Sequence, residues 1–185
     1  VLPLLMGAIA AILPRERMAW LVTLIVTAVL TLTAFGLVLT ILGGETQLYK
    51  LGGWDPPHGI SYIIDGLNAP LLLLISAMAL LCTVYGLPSV VAEVEPKKRA
   101  PFYAAFMVGV AGLLGMVVTG DAFNVFVFLE VSSISTYALV AMGASRDRRA
   151  LTSSYNYLIL GSIGATFFVI GLGFLYMETG TLNMA

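Results

Sequence analysis

Five stretches of this sequence, residues 18–42, 65–91, 101–118, 123–140 and 151–177, are apolar nearly throughout. Each approaches or exceeds the roughly 20 residues that a helix rising about 1.5 Å per residue needs to cross a bilayer. Residues 1–13 are as apolar but too few to cross the core, and no initiating Met or charged segment precedes them, so they read as the end of a truncated helix and not as a signal peptide. Only 10% of residues are charged and 59% are hydrophobic, where an ordinary soluble domain is about 25% charged. The expected fold is therefore an all-α integral membrane protein of six transmembrane helices, the first one truncated. Nucleic-acid binding has no support, because there is no basic face and no aromatic platform outside the apolar spans.

Short polar segments punctuate the spans. Pro14-Arg15-Glu16-Arg17 closes the first and Gly43-Gly44 the second. Residues 43–64 read as a β-hairpin on the membrane face: Leu48-Tyr49-Lys50-Leu51 and Ile60-Ser61-Tyr62-Ile63-Ile64 are strand-like, and Asp55-Pro56-Pro57-His58-Gly59 turns between them. Tyr49, Trp54 and Tyr62 suit the headgroup zone, where a ring keeps its polar end wet. His58 is the one histidine and has no second His or Cys beside it to complete a metal site. The third span takes either Asp65 or Asn68 as its cap, with Pro70 in the first turn, where a missing N–H costs little. In the fourth span Ala105, Gly109, Gly112 and Met116 recur at helical spacing, a face that lets another helix approach closely. Thr119-Gly120-Asp121 is so short that spans four and five must be antiparallel neighbours. Gly161, Gly164 and Gly171 are the expected close-contact points of the sixth span, and residues 178–185 leave the membrane. Cys82, the one cysteine, excludes an internal disulfide or a cysteine-based metal cluster and reads as a small residue facing lipid or another helix.

Charge distribution gives an orientation. Of the nine Lys and Arg residues, Arg15, Arg17, Lys97, Lys98, Arg99, Arg146, Arg148 and Arg149 fall in the loops after spans one, three and five, and Lys50 alone falls elsewhere. By the positive-inside rule, loops 92–100 and 144–150 are cytoplasmic and the hairpin 43–64 is extracytoplasmic. No span boundary depends on charge, yet the signs alternate as six crossings require.

One acidic residue breaks the fifth span. Glu130 lies some nine residues after Asp121, near the expected bilayer midplane, where an acidic residue costs roughly 2.5–3.5 kcal/mol on insertion scales. It needs a partner, a wet cavity or a bound proton. Two readings stand: a neutral acid hydrogen-bonded to a neighbouring helix, or a proton or cation site, since burial raises a carboxyl pKa while a nearby cation lowers it. At about 100° per residue, Ser133 and Tyr137 lie one and two turns on along nearly the same face, a polar stripe able to carry water or a hydrogen-bonded relay. Ser132, Ser135 and Thr136 either widen that stripe or pack helix against helix. No His pair, nucleophile elbow, phosphate-cradling loop or metal cluster is present, so no active site and no cofactor is expected.

The segments Tyr49-Lys50-Leu51-Gly52-Gly53-Trp54, Ile64-Asp65-Gly66-Leu67-Asn68-Ala69 and Gly120-Asp121-Ala122-Phe123-Asn124-Val125-Phe126-Val127-Phe128-Leu129-Glu130 resemble the antiporter-like membrane subunits shared by respiratory complex I, Mrp-type sodium/proton antiporters and membrane-bound hydrogenases. The wording is most similar to the D subunit of the Mrp antiporters, and the likeness covers essentially the whole chain. The resemblance implies a larger protein of about fourteen helices with two inverted five-helix repeats. Residues 1–100 would then be helices one to three with the hairpin, and residues 101–185 helices four to six, the start of the first repeat. It further implies that Glu130 is the fifth-helix glutamate of the family, paired with a lysine on the seventh helix and active in proton movement. No Lys or Arg lies inside any span of this sequence. Other membrane subunits of such a complex, protons, the lipid bilayer and Na+ as a candidate coupling cation are the implied partners, in the cell membrane. A non-conducting structural subunit of the same kind of complex is the alternative.

Overall fold

The computed structural model describes residues 1–44, 46–54 and 59–184. Six helices follow in order, α1 (Leu2–Ile12), α2 (Glu16–Leu42), α3 (Asn68–Glu93), α4 (Arg99–Val118), α5 (Ala122–Met142) and α6 (Arg149–Thr179). Between α2 and α3 lie strands β1 (Gln47–Lys50) and β2 (Ser61–Ile64). The last five helices are long and apolar enough to cross a membrane, with mean hydropathies between 1.8 and 2.4. The chain is a multi-pass membrane protein with a small two-stranded hairpin. The expected hairpin turn and His58 lie outside the described residues.

Local chemistry explains why polar residues are tolerated inside these helices. Along α2, Thr23, Thr27 and Thr31 donate their hydroxyls to the carbonyls of Ala19, Thr23 and Thr27, each at 2.9 Å. Thr23 and Thr27 are thereby fully buried without an unmet donor. At the start of α3 the cap is Asp65, whose carboxylate accepts the amides of Leu67 at 2.8 Å and Asn68 at 2.9 Å. Asn68, the alternative cap, sends its side-chain amide to the Ile63 carbonyl at 3.0 Å instead. Pro88 inside α3 takes the helical donor away from the Val84 carbonyl, and beside it the Trp20 indole of α2 donates to the Thr83 carbonyl at 2.8 Å.

Helix α4 occupies the centre and packs against α1, α2, α3 and α5. Its Tyr103 and Met107 close a core with Ala10, Ala19, Val26, Val90 and Val94. Helix α6 packs on α5 and buries only Ser154, Ala165 and Leu172. That face explains a departure from the sequence expectation. Gly161, one turn before Ala165, sits directly against the Tyr137 ring, whereas Gly164 and Gly171 have nothing within 4 Å of where a Cβ would be. Each of those two precedes a buried residue by one position, about 100° round the helix and off the contact line.

At one end of the bundle the hairpin joins the helix ends. Strands β1 and β2 pair antiparallel, Tyr49 opposite Tyr62 and Lys50 opposite Ser61. Tyr62 in turn bridges to Thr119, and the Gly120 amide donates to the Ser61 carbonyl at 2.8 Å. The segment after α6 returns to the same place: the Ala122 amide donates to the Leu182 carbonyl at 2.8 Å and the Met184 amide to the Gly120 carbonyl at 2.9 Å. Tyr49 and Trp54 are exposed, but Tyr62 is half-buried by this pairing and is no simple headgroup anchor.

At the opposite, arginine-rich end the ties run through side chains. Arg99 pairs with Glu16 and donates to the Val94 and Val91 carbonyls at 2.9 and 2.7 Å. Arg146 donates to the Ala92 carbonyl at 3.2 Å. Two guanidinium groups thus serve the final carbonyls of α3, where the helix dipole is negative.

Candidate functional site

The position of Glu130 follows from how α5 begins. Asp121 is the N-cap, accepting the Asn124 amide at 2.8 Å. Thr119 steadies the cap, its hydroxyl oxygen accepting from the Asp121 amide at 3.3 Å and the Asn124 side chain at 3.0 Å. From that cap nine residues at about 1.5 Å each carry the chain about 13 Å to Glu130, close to the middle of the 21-residue helix. Sequence reasoning treats residues 119–121 only as a tight turn and misses this network, although an Asp directly before an apolar run is a recognisable start signal.

Glycines of α4 set how α5 lies. A Cβ on Gly112 would stand 2.7 Å from the Ser132 amide nitrogen and 2.9 Å from the Phe128 carbonyl oxygen, and one on Gly115 would enter the Phe128 ring. Gly109 sits against Ser135, with 3.4 Å between the Cβ position and the serine Cβ. The two backbones therefore approach most closely at Phe128 and Ser132, the residues two before and two after Glu130. Two residues is about 200° of rotation, so the carboxylate projects away from the α4 contact line.

Glu130 is half-buried, and its Oε1 is enclosed with no hydrogen-bond partner among the described residues. Most enclosed polar side-chain atoms in proteins have a partner. The ion pairs found among the described residues, Arg99 with Glu16 and Lys98 with Glu95, both lie at the arginine-rich end and leave Glu130 without a cation.

The other expected site residues fall into different surroundings. Ser133 lines a cavity of about 220 Å³ with Gly109, Ser132, Thr136 and Tyr157. Tyr137 is buried in the α5–α6 contact, its ring edge-on to Tyr157 at 4.9 Å and its carbonyl accepting from the Ser154 hydroxyl at 2.8 Å. Neither Glu130 nor Tyr137 is among the residues lining that cavity. Ser132, Ser135 and Thr136 donate to the carbonyls of Leu129, Val131 and Ser132 in their own helix, at 2.9, 2.8 and 2.8 Å. With Gly112 and Gly109 pressed on the first two, that is the helix-packing arrangement. Among the described residues no group of three or more His, Cys, Asp or Glu is placed to hold a metal ion.

Residues 119–185 match the family described as NADH:quinone oxidoreductase/Mrp antiporter, TM. The chain is 39% identical over 188 residues to an NADH-quinone oxidoreductase N subunit of Desulforudis audaxviator, a match covering 100% of this chain and 37% of that protein. It is 37% identical over 149 residues to a Na+/H+ antiporter D subunit of Bacillus subtilis, covering 80% of this chain and 29% of the other. Its backbone is similar to that of a chain in the membrane-bound sulfane sulfur reductase, an archaeal respiratory membrane complex, with a TM-score of 0.87 and 32% identity over 99% of this chain and 37% of that one. The chain thus spans between 29% and 37% of the length of these relatives.

Proposed function

This chain belongs to the antiporter-like membrane subunit family common to NADH:quinone oxidoreductases and Mrp antiporters, and from that premise we propose that it takes part in moving protons across the membrane with Glu130 as a proton or coupling site. The observation that carries the reading is the enclosed, unpartnered Oε1 of Glu130 in the middle of a span. A neutral acid retained for packing would be held by a hydrogen bond to a neighbouring helix, and none is present among the described residues. A carboxylate kept at a cost of roughly 2.5–3.5 kcal/mol calls for a cation, a water or a proton to answer it. No Lys or Arg lies within the spans of this chain to be that cation.

In this reading Ser133, one turn on from Glu130, orders water in a cavity between α4 and α5 that the carboxylate itself does not line, and Tyr137 holds α6 against α5. The partners are the other membrane subunits of an Mrp-type, complex I-like or hydrogenase assembly, with protons as the ion moved and Na+ as a candidate coupling cation. The arginine-rich end faces the cytoplasm and the hairpin faces outward across the cell membrane.

The test is Glu130→Gln in the full-length protein within its complex, since glutamine keeps the size and hydrogen-bonding capacity but does not titrate. Ion-driven proton flux falls by at least about tenfold while assembly, checked separately, survives. Wild-type flux in an assembled variant would refute the site and favour the structural, non-conducting role.

A further inference from the structure

The two ends of the α4–α5–α6 group are tied by different kinds of bond. At the hairpin end, residues 119–122 act as a middle strand, paired through backbone atoms to Ser61 and Tyr62 on one edge and to Leu182 and Met184 on the other. The spatial order is β1, β2, residues 119–122, residues 182–184. This layer connects the residue that follows α4, the cap of α5 and the exit of α6 through backbone bonds alone. Ser61 and Thr119, both buried, lie within it, so its central bonds are shielded from water.

At the arginine-rich end the backbone hydrogen bonds among the described residues that lie outside the helices each span four residues or fewer, such as Arg146 to Gly143 and Leu151 to Arg148. What joins separate elements there is side-chain contact: Arg99 and Arg146 on the end of α3, the Ser154 hydroxyl on the Tyr137 carbonyl between α6 and α5, and the apolar packing of Val90, Val94 and Tyr103. Open space accompanies it: a cavity of about 290 Å³ beside Arg99, Ser145 and Arg146, and the cavity of about 220 Å³ that runs along α4 and α5 from Ser132 toward Phe106 and Leu139. The hairpin end has its own cavity, of about 370 Å³, which lies under Tyr62 and Ile64 among α1, α2 and α4 and reaches Phe128 of α5 but no residue of α6.

We propose that the strand layer locks the hairpin ends of α4, α5 and α6 into one body, a fixed pivot, so that the opening movements of these helices occur at the arginine-rich end. Resting on the reading of Glu130 as an ion site, this makes the arginine-rich end the side at which access to the carboxylate changes.

Amide hydrogen exchange on the unmodified full-length protein in its complex tests the pivot without reference to activity. The amides of Gly120, Ala122 and Met184 exchange at least about a hundredfold more slowly than those of residues 143–148, and equal rates at the two ends overturn the proposal. A pair of disulfides in a Cys82→Ala background then tests the consequence. Tyr62→Cys with Thr119→Cys closes the layer across a bridged pair, and Gly143→Cys with Ala150→Cys closes the other end, where the two Cβ positions are 3.7 Å apart and match disulfide geometry. Flux within about twofold of the reduced protein is expected for the first and a loss of at least about tenfold for the second. Loss of flux with the first lock, or full flux with the second, contradicts the pivot. Failure of the Glu130 reading shows separately, as full flux in Glu130→Gln, and leaves the exchange result standing.

Discussion

At the scale of single residues, glycine is the sharpest determinant of where α5 lies. Gly112→Ala places a methyl group against backbone atoms of Ser132 and Phe128 that have no way to turn aside, and overpacking of this kind costs about 1–3 kcal/mol. Gly164→Ala meets nothing and leaves stability unchanged or slightly higher. Thermal unfolding of both variants in the same detergent checks the contrast, and equal effects would contradict the packing described. The sequence disclosed Gly109 and Gly112 of α4 as part of a close-contact face because a period of three to four residues is visible in a string of letters, but it passed over Gly115, which lies against the Phe128 ring. It could not disclose which of the α6 glycines matter, since Gly161, Gly164 and Gly171 share the same kind of spacing and differ only in where α5 happens to lie. Glu130 was legible for a simpler reason, being the one charge in its span, but its unpartnered oxygen could be found only once the neighbouring helices were in place.

Secondary-structure elements were the most legible level, because span length, Pro70 in a first turn and the Tyr and Ile residues of the hairpin's second strand are local signals. The ties between elements were not. Arg99 reaches Glu16 across 83 residues of sequence, and residues 182–184 pair with the α4–α5 turn through backbone atoms that every residue has. Arg99→Ala removes one ion-pair partner and two carbonyl contacts, and charge-assisted bonds of this kind are worth on the order of 2 kcal/mol. Arg99→Lys recovers little of that, because one ammonium group cannot serve three acceptors set around a planar fork. The measurement is again the unfolding midpoint, and a lysine variant as stable as wild type would count against the clasp. The start of α3 responds to acid. Amides of Asn68 and Leu67 hold the Asp65 carboxyl below its ordinary value of 3.8. A depressed folded-state pKa contributes stability above 3.8 that disappears as pH falls through the folded value. Asp65→Asn, a comparable cap at neutral pH, therefore matches wild type at pH 7 and loses less than wild type on acidification below 3.8. A gap between the two that stays constant across that range would show that the cap does not titrate.

For the whole molecule, the six-helix path puts the hairpin and the arginine-rich loops at opposite ends. Single cysteines at Gln47 and Arg148 in a Cys82→Ala background react with a membrane-impermeant reagent from opposite sides of sealed vesicles; labelling of both from one side would overturn the topology. The packing of α1 carries a different kind of consequence. A Cβ on Gly7 of α1 would stand 3.3 Å from the Ala104 carbonyl oxygen of α4, and α1 makes its largest contact with α4 and not with α2, the helix that follows it. Ribosomes add about 5–20 residues per second, so the stretch between Gly7 and Ala104 takes about 5–20 s to appear. During biosynthesis α1 must wait that long beside α2 with its small-residue face uncovered, and whatever machinery inserts the chain has to shelter that face until α4 arrives to claim it.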